Sequence, residues 1–507
     1  MSEAEAQAIV SAGDEGATAC AATEKLSAGE CQDVLSGLQL PIIVLWLVLG
    51  AVFFTFRYGF INIRAFFHAI QVTRGKFDNP DDPGEVSHFQ ALSSALSATV
   101  GLGNIAGVAV AVAAGGPGAV FWMVCAGFFG MSSKFTECTL GQLYRQVDPS
   151  GRVSGGPMQY LKRGLAELRG GVFKPLGKGL AVLFAIMCIG GSFGGGNMFQ
   201  ANQSAKLVVG QLLGAFEVES PAIADFSMLV YGVILAALVG VVIIGGIQRI
   251  GAVAGYVVPV MCVVYVGAGM LVLAVNIDQV PSAFGRIIGE AFTPQAGLGG
   301  LLGVLVQGFR RAAFSNEAGV GSASIAHSAA ATDEPVREGI VALLEPFIDT
   351  IVICTMTGLV LVITDAYLQV GADGELLGDV EMTRYAFDSV IPGFSWVLAP
   401  AVFFFAFSTM LSWSYYGERC WTYPFGTSQR SSTVYRVIFV VFAVFGTILN
   451  IDNVIAISDL MILGMALPNI LGLFFLSNKV GAALTDYWNR YKSGEMAKDA
   501  ASGAEAG

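Results

Sequence analysis

Hydrophobic runs of about 20 residues, the length of one bilayer crossing, recur along the chain between short polar stretches. Eleven fall at residues 41–62, 88–114, 117–142, 179–212, 225–245, 252–276, 300–329, 338–365, 396–416, 433–450 and 453–476. The pattern predicts an all-α polytopic membrane protein. Two runs are broken inside. The second holds "SATVGLGNIAGVAVAVAAGG", with Gly101, Gly103 and Asn104 near its middle. The seventh, "LLGVLVQGFRRAAFSNEAGVGSASIA", carries a dense polar and glycine interruption from Gly308 to Gly321. No water reaches such positions, so backbone freed there must be buried in protein or line a cavity.

Four runs separate the two breaks and four follow the second. With the first run set aside, the rest divide into two sets of five, each opening with a broken helix. Five is odd, so the second set crosses in the opposite sense, the arrangement of an inverted-repeat secondary transporter with its binding site at the discontinuous helices. The halves share no residue-level identity, so this expectation rests on span count and break position. The expected organisation is an acidic external tail (1–40), an extra transmembrane helix (41–62), a first five-helix repeat (88–276), a second (300–476) and a cytoplasmic tail (477–507).

Composition agrees: of 507 residues 54% are hydrophobic and 13% charged, about half the charged share of soluble domains. The basic residues set the orientation. Tail 1–40 has one lysine, Lys25, against seven acids, whereas loop 143–178 and the C-terminal tail are rich in Lys and Arg. The positive-inside rule then places the N-terminus outside and the C-terminus in the cytoplasm, in the plasma membrane (the inner membrane of a Gram-negative cell). The first run begins too late to be a cleaved signal peptide. The net charge of −11 says little by itself; no nucleic-acid partner is expected, and the oligomeric state stays open. Eight cysteines form no C-x-x-C, and His68, His88 and His327 are too dispersed for a metal site. Cys20 and Cys31 are placed to pair in an oxidising compartment. With no acid–base or metal constellation, an enzyme is not expected.

A helix unwound in mid-membrane exposes N–H groups at the start of one half and C=O groups at the end of the other. The N–H groups and the positive dipole end suit a carboxylate; the carbonyls suit a small hard cation. Glycine permits the conformation and clears side chains from the ligand. A zwitterionic amino acid with Na⁺ fits both. "GLGNIAG" is no dinucleotide fingerprint, since its spacing is G-x-G-x-x-x-G and no strand precedes it.

The segments "GLGNIAGVAVAVAAGGPGAVFWM", "GFRRAAFSNEAGVGSASIAH", "EPFIDTIVICTMTGLV" and "AFSTMLSWSYYGE" resemble the signatures of the alanine or glycine:cation symporter family, over residues 40–480. The resemblance implies the amino-acid/sodium symporter fold, a 5+5 inverted repeat with one extra N-terminal helix. It also implies Na⁺-driven uptake of alanine or glycine, with no cofactor beyond the coupling ion. It puts the substrate carboxylate at the backbone of Leu102 and Gly103, with Thr99 and Gly101 lining the pocket and Asn104 bracing the break. Trp413 would cap the pocket, and Gln200 would contact substrate. Phe309, Phe314 and Ser315 are the candidates from the second broken helix. For Na⁺ it implies carbonyls of Ser97, Val100 and Phe405 and the hydroxyls of Ser408 and Thr409.

Competing readings stand beside these. Gly101 and Gly103 would also serve close helix packing, as would the run Gly190–Asn197. Ser408 and Thr409 would also bond back to carbonyls one turn earlier, Trp413 would suit an interfacial belt, and Gln200 the membrane edge. Charges inside a membrane are costly and functional by default. Asp349, four residues after Glu345, is a candidate for a second cation or for pairing with Arg310 or Arg311. Lys134 and Glu137 pair with each other or face the cytoplasm. An H⁺-coupled transporter of the same fold, titrating at Asp349 or Glu317, is the alternative mechanism.

Overall fold

The computed structural model describes residues 42–496 except 80, 150, 219, 293–299, 372, 373 and 375. Helix α1 (Ile42–Arg57) is followed by the broken pair α2 (His88–Thr99) and α3 (Val108–Gly115). Helix α4 spans Gly118–Leu143, α5 Phe173–Phe193, α6 Phe199–Ala215, α7 Pro221–Ile243 and α8 Gly246–Val275. A short helix α9 (Val280–Glu290) leads to α10 (Gly300–Asn316) and the one-turn α11 (Ala323–His327). Next come α12 (Pro335–Val341), α13 (Thr355–Ile363), α14 (Asp379–Val390), α15 (Ser395–Phe425), α16 (Gln429–Gly446) and α17 (Ile451–Ser493). Among the described residues, seven helices are long and apolar enough to cross a membrane, eight with the bent α2–α3 pair.

Local chemistry explains where the first broken helix begins. Ser87 Oγ accepts from the Gln90 N–H while Gln90 Oε1 accepts from the Ser87 N–H, a reciprocal cap that satisfies two orphan donors at the start of α2. The chain before α2 also pairs with the chain after α11, through Glu85 N to Ala329 O and Ala331 N to Val86 O, both 2.8 Å. The entry to one broken helix is thereby stitched to the exit of the other.

The core lies where α2, α4, α5, α10, α15 and α17 meet: α5 packs on α15 and α17, α10 on α4, and α2 on α8 and α15. In lipid such packing is driven by close van der Waals fit and not by the hydrophobic effect. Helices α7 and α8 keep large apolar residues such as Phe226, Ile234, Tyr256 and Val263 exposed, which suits a lipid-facing rim.

Two boundaries differ from the sequence reading. The last helix runs on to Ser493, through a stretch expected as tail, because Val480, Leu484 and Tyr487 recur on one face and are buried. The expected acidic loop 366–395 contains α14, whose Val380, Thr383, Ala386 and Phe387 face inward. The tail 1–40, with the pair Cys20 and Cys31, lies outside the described residues. The other six cysteines are free thiols.

Candidate binding site at the broken helices

The first break interrupts the chain at Val100–Leu102, resumes in a wide π-helical turn at Gly103–Gly107, and bends α2 against the second half by 51°. Two N–H groups change partner. In a continuous helix Gly101 and Leu102 would donate to the carbonyls of Ser97 and Ala98. Instead Gly101 N–H donates to Asn104 Oδ1 at 2.9 Å, and Leu102 N–H to Gln200 Oε1 at 3.3 Å. The carbonyls at the end of α2 lose those partners, while the N–H groups are held by side-chain amides. Gln200 is itself fixed by donating to Gly195 O at 3.0 Å.

Across the break lies α15. Ser97 Oγ donates to Ser408 O at 2.5 Å, and Ser408 Oγ bonds back to Phe405 O at 3.1 Å. Thr409 Oγ1 is buried and has no hydrogen-bond partner among the described residues. It lies so close to Gly101 that a Cβ there would overlap it. An orphaned buried hydroxyl is costly unless another ligand, such as an ion, uses it. Ser97, Phe405, Ser408 and Thr409 thus converge between α2 and α15, beside Val100.

The second break falls at residues 317–322. Glu317 (φ +55°), Gly319 (+82°) and Gly321 (+100°) take left-handed conformations that end α10 and turn the chain into α11. The rest of the interruption, with Phe309, Phe314 and Ser315, is helical. Ser315 faces the first break, its Cα 3.3 Å from a Cβ built on Gly103. Phe314 packs edge-on against Phe199, centroids 5.4 Å apart, and lies near Gly195. Phe309 is directed elsewhere, its ring against Trp122. Trp413 is 2% exposed and lies so near Gly196 that a side chain there would collide with it. It is a buried wall and not an interfacial residue, and part of the run Gly190–Asn197 makes room for it. Thr99 bonds back to Ala95 O at 3.2 Å.

Asp349 ties the two breaks together. Its carboxylate accepts from Asn104 Nδ2 at 2.6 Å, Ser315 Oγ at 3.0 Å and Thr350 Oγ1 at 2.7 Å. Asn104 Nδ2 also lies 3.3 Å from Cys354 Sγ. Pairing of Asp349 with Arg310 or Arg311 does not occur: both arginines reach Asp459, at 2.6 and 2.5 Å. The turn carrying Asp349 is π-helical, Phe347–Cys354, and Asp349 and Glu345 have different partners. Glu345 points instead to Lys134, at 2.9 Å, with Glu137 3.8 Å from the same ammonium, all fully buried. Lys134 therefore does not face the cytoplasm.

Sequence reasoning missed three contributors. His88 and His327, far apart in the chain, both reach the buried Glu338, His327 Nδ1 at 2.6 Å. Asn469 of α17 donates to Glu137 Oε2 at 3.1 Å and to the freed Gly319 carbonyl at 2.9 Å. Thr383 of α14 donates to Ile105 O in the first break at 3.2 Å. Of these, α14 alone left a sequence signal, its 3–4-residue apolar spacing.

A bundle of membrane-crossing helices with paired breaks at a buried polar centre defines a multi-pass membrane transporter. The chain belongs to the sodium:alanine symporter family, whose model matches residues 25–501. It is therefore a transporter of the Na⁺-coupled amino-acid symporter kind and not an enzyme. Among its relatives is the sodium/alanine symporter AgcS of Methanococcus maripaludis, 42% identical over 441 residues, covering 87% of this chain and 92% of that one. Others are the amino-acid carrier protein AlsT of Bacillus subtilis, 35% identical over 445 residues (87% and 88%), and, from the same organism, one named "Probable sodium/glutamine symporter GlnT", 35% identical over 455 residues (90% and 89%). The crystal structure of MhsT in complex with L-phenylalanine shares the fold, with a TM-score of 0.53 at 16% identity over 78% of this chain and 89% of that one.

Proposed function

We propose that this protein couples Na⁺ entry to the uptake of alanine and glycine by alternating access. Its eleven spans comprise one extra helix and two inverted sets of five, with the N-terminus outside. One observation carries the reading. At Gly101–Leu102 the N–H groups are held by the amides of Asn104 and Gln200, beside the Thr409 hydroxyl, which has no hydrogen-bond partner among the described residues. A substrate carboxylate takes the place of Gln200 Oε1 on the Leu102 N–H and adds the Gly103 N–H. Na⁺ binds the carbonyls of Ser97, Val100 and Phe405 with the hydroxyls of Ser408 and Thr409, and clamps α2 to α15. Each ligand then stabilises the backbone that the other needs, so their affinities rise together. Trp413 and Phe314 bound the space for the side chain and favour a small substrate over glutamine. Each Na⁺ that enters contributes about 2.3 kcal/mol per 100 mV of membrane potential.

Uptake of labelled alanine into proteoliposomes tests this reading, comparing Na⁺ with K⁺ and Li⁺ and including imposed pH gradients. Uptake should follow Na⁺, glycine should compete, and leucine, phenylalanine and glutamine should not. Uptake that follows an imposed pH gradient without Na⁺ would favour H⁺ coupling. Thr409→Ala should weaken Na⁺ and alanine binding together; alanine affinity that keeps its wild-type value at low Na⁺ rejects the ion site. Asp349→Ala removes the carboxylate that accepts from Asn104, Ser315 and Thr350 and leaves Asn104 its bond to the main-chain carbonyl there, a loss of about 1–3 kcal/mol, and should lower alanine affinity about tenfold by equilibrium binding.

A further inference from the structure

The end of α1 and the extension of α17 enclose a cavity of about 590 Å³, lined by Arg57, Arg64, Thr485, Trp488 and Asn489 among others. Two guanidinium groups border it. Arg57 Nη2 donates to Asn478 Oδ1 at 2.8 Å; Arg64 Nη1 reaches Gly59 O at 3.4 Å and its guanidinium stacks over the Trp488 ring at 5.5 Å. Among the described residues no carboxylate lies within 4 Å of either guanidinium, although ion pairs are common elsewhere in the fold. Asp486, next to the lining residue Thr485, is engaged by Arg490 at 3.0 Å. Both arginines and Asn489 are solvent-exposed, while the Thr485 hydroxyl donates to Gly481 O at 2.9 Å, so the cavity offers several N–H donors and uncompensated positive charge.

Its setting narrows the anion. Ile42, Leu45, Leu49, Phe53 and Phe56 form an exposed apolar stripe along α1, at the 3–4-residue spacing of one helix face. In a membrane that stripe faces acyl chains, and it ends at Arg57. Trp488 beside Arg64 is the residue type that settles at the headgroup level. This end of α1 lies on the side where the chain's basic residues concentrate, and basic pockets between helices on that side hold anionic headgroups.

We propose that this cavity binds the phosphate headgroup of one anionic phospholipid, with its acyl chains lying on the exposed stripe of α1. The lipid joins the first helix, which lies outside the two five-helix sets, to the last. Arg57 and Arg64 supply charge-assisted hydrogen bonds to the phosphate oxygens, Asn489 adds a neutral one, and the Trp488 ring marks the interface.

The full chain in detergent tests the proposal by thermal unfolding with added phosphatidylglycerol, phosphatidylcholine or inorganic phosphate. A ligand bound to the folded state raises the midpoint. Phosphatidylglycerol should raise it a few degrees more than phosphatidylcholine does. Arg64→Gln should reduce that difference and Arg57→Gln with Arg64→Gln should abolish it, whereas Arg169→Gln, an exposed loop arginine, should keep it. Native mass spectrometry of the unaltered protein should retain phosphatidylglycerol over phosphatidylcholine from an equal mixture, a reading independent of how the variants fold. Equal shifts by the two lipids, a difference that survives the double substitution, or inorganic phosphate alone reproducing the shift would each overturn it.

Discussion

Exchanging Lys134 for methionine should destabilise the folded protein by about 3–5 kcal/mol, the usual cost of removing one partner from a buried ion pair. Lys134, Glu137 and Glu345 are all fully buried, with the ammonium 2.9 Å from Glu345 and 3.8 Å from Glu137. Methionine keeps the length and bulk of the side chain, so lost packing contributes little. The loss comes from two carboxylates left in a medium that solvates them poorly, with His327, 3.6 Å from Glu345, as the remaining base. The unfolding midpoint in detergent should fall by many degrees. Adding Glu345→Gln should recover part of the loss, because the double variant then buries one unpaired carboxylate, Glu137, in place of two. An unchanged midpoint would show that the cluster is solvated and carries no structural load.

The second large effect concerns a single methyl group. Gly101→Ala should abolish coupled uptake while leaving the protein folded. The added Cβ overlaps Thr409 Oγ1 and approaches Gln200 Oε1 to 3.3 Å, so the unwound stretch, Gln200 or α15 must move. Overpacking of this kind costs about 1–3 kcal/mol, which corresponds to roughly tenfold or more in the affinities of Na⁺ and alanine alike. Gly107→Ala is the control. There an added Cβ meets nothing nearer than the Leu102 carbonyl at 4.0 Å, and uptake should stay within about twofold. If Gly101→Ala transports normally, the close approach of the first break to α15 has no part in coupling.

How much of this was legible in the sequence follows from what each signal encodes. The first break was readable because glycine and asparagine in an apolar run leave few alternatives, and its contact with Ser408 and Thr409 came with the family resemblance. The second break was harder to place. Its interruption spans Gly308 to Gly321, but the left-handed positions start at Glu317, a residue whose type does not announce that conformation. Phe309 was drawn in by proximity, although it faces Trp122. Asp349 drew arginines as partners because opposite charges attract, yet the fold gives Arg310 and Arg311 to Asp459 and surrounds Asp349 with hydroxyls and amides. His88, His327 and Glu338 show the general difficulty: their meeting is set by the packing of α2, α11 and α12, to which no local pattern points.

The bond from Leu102 N–H to Gln200 Oε1 has one further consequence. On the proposed function, Gln200 is a tethered rival for the backbone that the substrate carboxylate must reach, so a docking solute would displace an internal amide as well as water. In that reading the tether would set a ceiling on how tightly cargo is held, and a lower ceiling would hasten its discharge.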